Sequence, residues 1–466
     1  MHKVPVMRNG EPLVTGESVV EDRTVYVVHC IDTEGPLYES LEAKFERLID
    51  IFGIDLEPTR ANFEKLKRKE IALGNGLEDL VAKTFSGHLA NFNDTWTKVD
   101  DMLDRILSES FRSRLPDSNG GSWVYNWFCV DHVNYVNNPR RRTLGYHHIF
   151  DHYRQVLADS GSDMDGIHWH FHPMSTYRDA HRCATSYVNS PHLYETLCRR
   201  IIDREWFPSV FRAGFQAERP DSHLFLEQWV PFDITNMASK DPTIESQQDF
   251  ANGRSGDWRL APDDWSVYRP SHDNYQLRGD CRRYIARALN ILNRIAPLTQ
   301  EEVDSAFSRA DAGRPTIMGV ACHDYRDIGV EVDEIRKMLE GASKRFPGVR
   351  FVYSEARSAF QKVIYGSDFD EASAGKLELD CQIHHDSNSV LLKVNAAAGE
   401  VFGPQPFLAV RLKSRRYMHD NLDFDTSPGR WFYTFDAESI LPSDVDTIGV
   451  GGADRFGNTS VVRMTL

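Results

Sequence analysis

The chain has little of what marks the special protein classes. Its seven cysteines are an odd number, scattered, with no CxxC pair. Neither a disulfide framework nor a cysteine-rich metal module is expected, and Cys30 and Cys322 read as packing residues of apolar strands. Positive charge is in deficit: 54 Lys and Arg stand against 69 Asp and Glu, a net charge of -15. That balance argues against a nucleic-acid partner and against an anionic membrane surface. No apolar run approaches the length of a membrane span, and the start, Met1-His2-Lys3-Val4-Pro5, has no signal-peptide core. There is no internal repeat and no low-complexity segment. These absences predict a cytoplasmic globular protein, and 466 residues suffice for one large domain and a smaller one.

What is present is a histidine cluster. In Ile167-His168-Trp169-His170-Phe171-His172-Pro173 three histidines fall at every second position between bulky apolar residues. On an extended backbone all three imidazoles share one face. A merely solvated face is better served by Lys, Glu or Thr, whereas neutral imidazole is a common ligand of divalent metals. Upstream, the β-prone run Val25-Tyr26-Val27-Val28-His29-Cys30-Ile31 ends in Asp32-Thr33-Glu34-Gly35-Pro36. It reads as a central parallel strand whose C-terminal end carries two acids, two residues apart and able to enter one pocket.

Between these strands, residues 37–116 are predicted to form a charged helical insertion that covers or borders the pocket. Leu41, Phe45, Leu48, Ile49 and Phe52 keep a helical period, as do Val99, Met102, Leu103, Ile106 and Leu107, with Pro58 and Gly74-Asn75-Gly76 as breaks. Further strands are expected at 123–131, 209–215, 230–235, 315–324 and 349–353. Helices are expected near 144–157, 193–204, 222–229, 281–295 and 332–345. Such alternation predicts a parallel α/β sheet or barrel with its site at the C-terminal strand ends. From about Lys376 short alternating strands predict a small all-β, sandwich-like module. The expected domains are therefore 1–368 and 369–466.

In this order the motifs resemble those of the polysaccharide deacetylases of the NodB-homology type, carbohydrate esterase family four. Cys30-Ile31-Asp32-Thr33-Glu34-Gly35-Pro36 stands where that family has T-F-D-D-G-P. His168 and His172 before Pro173 stand for its histidine motif, and Arg212-Ala213-Gly214 for its arginine motif. Asp233 stands for its later aspartate and Ala321-Cys322-His323 for its L-x-H. The resemblance covers about Val25 to Tyr353 and implies a distorted (β/α) barrel holding one divalent metal, commonly zinc. It implies hydrolysis of an N-acetyl group from an amino sugar in a polysaccharide or its precursor. The metal ligands it implies are Glu34, His168 and His172, with Asp32 as base, His323 as general acid, Arg212 holding the base, and Asp233 as a further catalytic residue.

The first motif departs from the pattern. Aligned on Gly35-Pro36, Thr33 falls at the base position and the site is inert; aligned on the strand, Asp32 is base and Glu34 ligand. The second alignment is preferred, because residues i and i+2 share a face. His170 is either a core or supporting histidine or a replacement for His168 or His172 in a His-x-His pair. Two other functions compete: a metal-dependent amidohydrolase of a non-sugar amide, and a carbohydrate binder with a decayed catalytic set, using the C-terminal module and the tryptophans near Trp258 and Trp265. Metal content separates the enzymes from the binder.

Overall fold

A computed structural model describes residues 22–173, 178, 180, 186–188, 190, 192–240, 256–293 and 295–466. The segment read for a leader and residues 241–255 of the Trp-rich excursion lie outside them. The first strand, β1 (Thr24–Thr33), is buried along its whole length. Tyr26, Val28 and Cys30 share one apolar cluster, while Val25, Val27 and Ile31 belong to another. That two-sided burial is what a parallel strand with helices outside it requires.

Seven strands close on one another: β1, β2 (Tyr125–Asp131), β3 (Gly166–Phe171), β4 (Val210–Ala213), β5 (Phe232–Asn236), β6 (Tyr284–Asn290) and β7 (Thr316–His323). Every pairing in this barrel is parallel, and β7 returns to β1 along Val25–Asp32. The barrel is distorted because β8 (Arg350–Tyr353) takes the lower half of the β1 edge, leaving β2 only His29–Thr33. Inside, Val28, Cys30, Phe128, Val210, Phe232, Ile234, Ala288 and Ala321 fill the space. Ala356, Ala359 and Phe360 of the helix after β8, Ala356–Tyr365, join the same cluster and plug the N-terminal end.

Residues 281–295 are the main correction to the expected elements. Within them Tyr284–Asn290 form strand β6, and the helix before β7 is Gln300–Asp311 instead. Tyr284-Ile285-Ala286-Arg287-Ala288-Leu289-Asn290 has a helical look because alanine and arginine favour helices. The barrel overrides that preference. Ala286 and Ala288 fit its crowded interior, and the outward Arg287 meets Glu302 of the following helix at 2.7 and 2.9 Å.

The insertion supplies α1 (Leu41–Phe52), α2 (Arg60–Lys67), α3 (Leu77–Thr84), α4 (Trp96–Leu107) and the short α5 (Glu109–Arg112). Ser40, Thr59 and Thr95 cap α1, α2 and α4 through their side chains. Phe45, Leu48, Leu66, Val81 and Phe85 give it a small core of its own. Asn93 anchors it to the β7 end, donating to the carbonyls of Asp324 and Arg326 at 3.0 Å each.

From Glu378 onward two antiparallel four-stranded sheets face each other over Leu392, Val394, Leu408, Val410, Ile448 and Val450. This β-sandwich rests on the barrel through helix His192–Arg204, whose Leu197, Ile201 and Ile202 cluster with Phe407, Ala409 and Ala453. Trp258 and Trp265 are buried, with their indole N–H groups donating to the Gln216 and Glu302 carbonyls. They pack on the barrel and present no open face for a sugar.

Candidate metal centre and active site

The strand alternation of β1 sends Asp32 and Glu34 into the barrel mouth and Thr33 the other way, where its hydroxyl donates to the Phe128 carbonyl at 3.1 Å. The turn after it is fixed by Asp324, which accepts from the Glu34 and Gly35 amides at 2.8 and 2.9 Å. Tyr153 donates its hydroxyl to the same carboxyl at 2.7 Å. Burial pushes Asp324 up to about 7, against the pull of these donors. Gly35 has φ +72°, and a Cβ there would meet Ile149, Thr143 and Trp96 at 3.0 Å, so no other residue fits this turn without strain.

The three β3 histidines share a face, as their spacing predicts, but lie at different depths. His168 lies apart from Glu34: its Nε2 is 3.1 Å from Asn126 Oδ1 and 3.2 Å from Glu355 Oε1, just before the plugging helix. It is His170 that joins His172 and Glu34, and one ligand atom from each of the three lies within 4.8 Å of the others. The ligand set implied by the resemblance is thus changed at one position, His170 replacing His168.

The protonation pattern suits a cation. His170 Nδ1 lies 2.9 Å from the Arg212 carbonyl, which can only accept, so Nδ1 carries the proton and Nε2 offers its lone pair. That Nε2 faces His172 Nε2 at 2.9 Å, and Glu34 Oε1 is 3.4 Å from the same His172 nitrogen. Burial holds His170 and His172 below the usual imidazole range; His170 and His132 reinforce this at His172, whereas Asp32 opposes it at His170. Two imidazoles held neutral by burial and a carboxylate therefore converge, a donor set that fits a divalent metal once His172 carries its proton on Nδ1.

The backbone beside His172 is built to admit its ring. A Cβ on Gly214 would lie 2.2 Å from His172 Cδ2. The next two residues, Phe215 and Gln216, hold φ of 54° and 49°, a left-handed pair that costs energy in non-glycine residues. Phe215 thereby stands edge-on to the His172 ring with centroids 4.8 Å apart.

Asp32 sits under this triad. Arg212 holds it through Nε alone, at 2.8 and 3.1 Å from the two carboxylate oxygens, while its Nη1 donates to the Ile234 carbonyl. The pairing foreseen for Arg212 is present in bifurcated rather than forked form. His323 points in from β7, its Nε2 3.8 Å from Asp32 Oδ2 and 3.9 Å from Glu34 Oε1. Its ring stacks on Tyr325 at 4.7 Å. Burial, then Arg326, His170, Arg142 and Arg212, hold His323 well below the usual imidazole range, so it rests neutral.

Asp233 does not reach this group. Phe232 and Ile234 of β5 point inward, so Asp233 points outward, where Arg283 Nη1 donates to it at 2.8 Å. Its expected catalytic role has no geometric support.

Arg142 is a neighbour that the motifs did not single out; it pairs closely with Glu34. The signal was in view, since Arg140-Arg141-Arg142 is a dense cationic run in an acidic chain. Asp324 was equally overlooked, since its role depends on a turn 290 residues away. No helix among the described residues is long and apolar enough to cross a membrane. No protein-family model, curated protein or solved structure matches this chain.

Proposed function

We propose that the protein is a metal-dependent hydrolase of the polysaccharide-deacetylase kind, removing an N-acetyl group from an amino sugar. The observation that carries this reading is the convergence of Glu34, His170 and His172 on one point, with Asp32, Arg212 and His323 set around it at the C-terminal mouth of a parallel barrel. A divalent metal held by these three residues, zinc being the expected ion, supplies Lewis acidity and a water of lowered pKa.

The chain's own groups handle the protons. Asp32, held by Arg212, takes a proton from the attacking water. His323 rests neutral and lies 3.8 Å from Asp32, so the proton it delivers to the leaving amine is one gained within the cycle. Burial of the surrounding residues excludes bulk water and strengthens each of these interactions. The burial of Trp258 and Trp265 removes these two rings as a sugar-binding surface. The test is metal analysis of the purified protein with assay of acetate release from N-acetylated amino sugars. Near-stoichiometric metal and metal-dependent acetate release are expected; a protein with no metal and no turnover after metal addition removes the reading.

A further inference from the structure

The cavity above the triad is cationic, although the chain as a whole carries a net charge of -15. Four arginines line it: Arg47 on α1, Arg140 and Arg142 after β2, and Arg326 after β7. The carboxylates on the same wall are Asp32, Glu34 and Glu39. Asp32 is matched by Arg212 beneath, so Glu34 and Glu39 face four guanidinium groups.

The pairing is uneven. Glu39 serves both Arg47, at 3.1 Å, and Arg140, at 3.6 Å. Glu34 serves Arg142, and a metal bound to Glu34 would compete for that charge. Arg326 has no carboxylate partner among the described residues, and its Nε is buried with no hydrogen-bond acceptor. A buried cation without a counter-charge is costly unless something else meets it. The groups are also held in place before any ligand arrives: Arg47 lies over Phe85 at 4.9 Å, and Arg326 over Tyr325 at 5.3 Å.

We propose that the substrate carries an oxyanion group, phosphate or carboxylate, which Arg47, Arg140 and Arg326 bind while the scissile amide reaches down to the triad. This rests on the hydrolase reading and narrows its substrate to an acidic amido compound. Arginine suits the task because its planar fork matches the oxygens of both groups. The cavity measures about 190 Å³. At roughly 30 Å³ per water, that is the space of about six waters, enough for an acetamido group and one small anion.

The test is calorimetric titration of inorganic phosphate, and separately of malonate, into the full chain stripped of metal by a chelator. Binding that weakens with added salt is expected, with a loss of about ten- to a hundredfold in Arg326→Gln. Arg326→Lys, which keeps the charge but not the fork, should fall between. Arg140→Gln repeats the measurement from the other wall should the first variant fail to fold, with the same direction of change expected. The tighter of the two anions identifies the oxyacid. Absence of binding to stripped wild type, or equal affinity in wild type and a folded arginine variant, overturns the proposal. The titration reads no turnover, so it stands or falls apart from the hydrolase reading. A protein that deacetylates neutral amino sugars and ignores both anions would keep the hydrolase and lose the anion site.

Discussion

Two buried polar clusters lie on opposite faces of the same barrel wall. Inside the mouth are Asp32, Glu34, His170, His172 and Arg212, with the half-buried His323 beside them; outside, behind β5, are Glu218, His223, Asp233 and Arg283. Both contain acids, histidine and arginine. The outer cluster closes on itself: Arg283 pairs with Glu218, reaches Asp233 at 2.8 Å and meets His223 Nδ1 through Nε at 3.2 Å. Burial, joined by the neighbouring Asp233, raises Glu218 well above the usual carboxylate range, against the pull of Arg283. The inner cluster does the opposite, crowding two imidazole Nε2 atoms to 2.9 Å beside the Glu34 carboxylate and leaving His172 Nδ1 without a partner. Residue type does not separate structure from chemistry here. What separates them is how many buried polar atoms lack a hydrogen-bond partner: Glu218 Oε2 outside, against His172 Nδ1, Arg212 Nη2 and His323 Nδ1 inside.

The sharpest way to break this contrast is at the histidines. His170→Ala should remove nearly all bound metal, while His168→Ala should keep it, by elemental analysis of the folded proteins. Retention of metal by His170→Ala and loss by His168→Ala would restore the ligand set the motif implied. Next in size is Asp32→Asn, which should lower kcat by about a hundredfold to ten-thousandfold with metal content unchanged. His323→Ala should fall in the same range on an amide but recover on an activated aryl ester, whose leaving group needs no proton.

The outer cluster should answer to stability rather than rate. Arg283→Ala strands buried carboxylates and should cost about 3–5 kcal/mol in denaturant unfolding. Activity per folded molecule should change little; a large fall in kcat at full stability would give Asp233 back its catalytic role. The smallest effect belongs to Asp324→Asn, which loosens the Glu34 turn. Metal affinity should weaken about ten- to a hundredfold, as when a partner behind a ligand is removed, with Asp32 left in place.

Much of this was legible along the chain. Asp32 and Glu34 enter one pocket because alternation on β1 is a local property, and the α1 and α4 stripes announce themselves by period. Depth is not local. His168, His170 and His172 share a face, but which one stands level with Glu34 depends on strand tilt and stagger. Following the ladder sideways from Asp32 leads through Phe128 to His168, yet the side chain that meets Arg212 and Asp32 is His170. β6 escaped notice for a related reason: only the closed barrel tells Ala286 and Ala288 that they face a crowded interior. Asp233 entered by motif order alone, which carries no strand phase, and on a strand one residue of phase decides the face.

The plug at the foot of the barrel has a kinetic consequence. Val28, Phe128 and Phe360 pack together beneath His168, so among the described residues the foot of the barrel is filled. Whatever reaches Asp32 from above must leave the way it came. On the proposed chemistry the acyl fragment forms deepest and the amine lies over it, so departure is ordered: the amine first, acetate last. Acetate, as the last product to leave, should then compete directly with incoming substrate for the free enzyme, a pattern that product-inhibition kinetics would show.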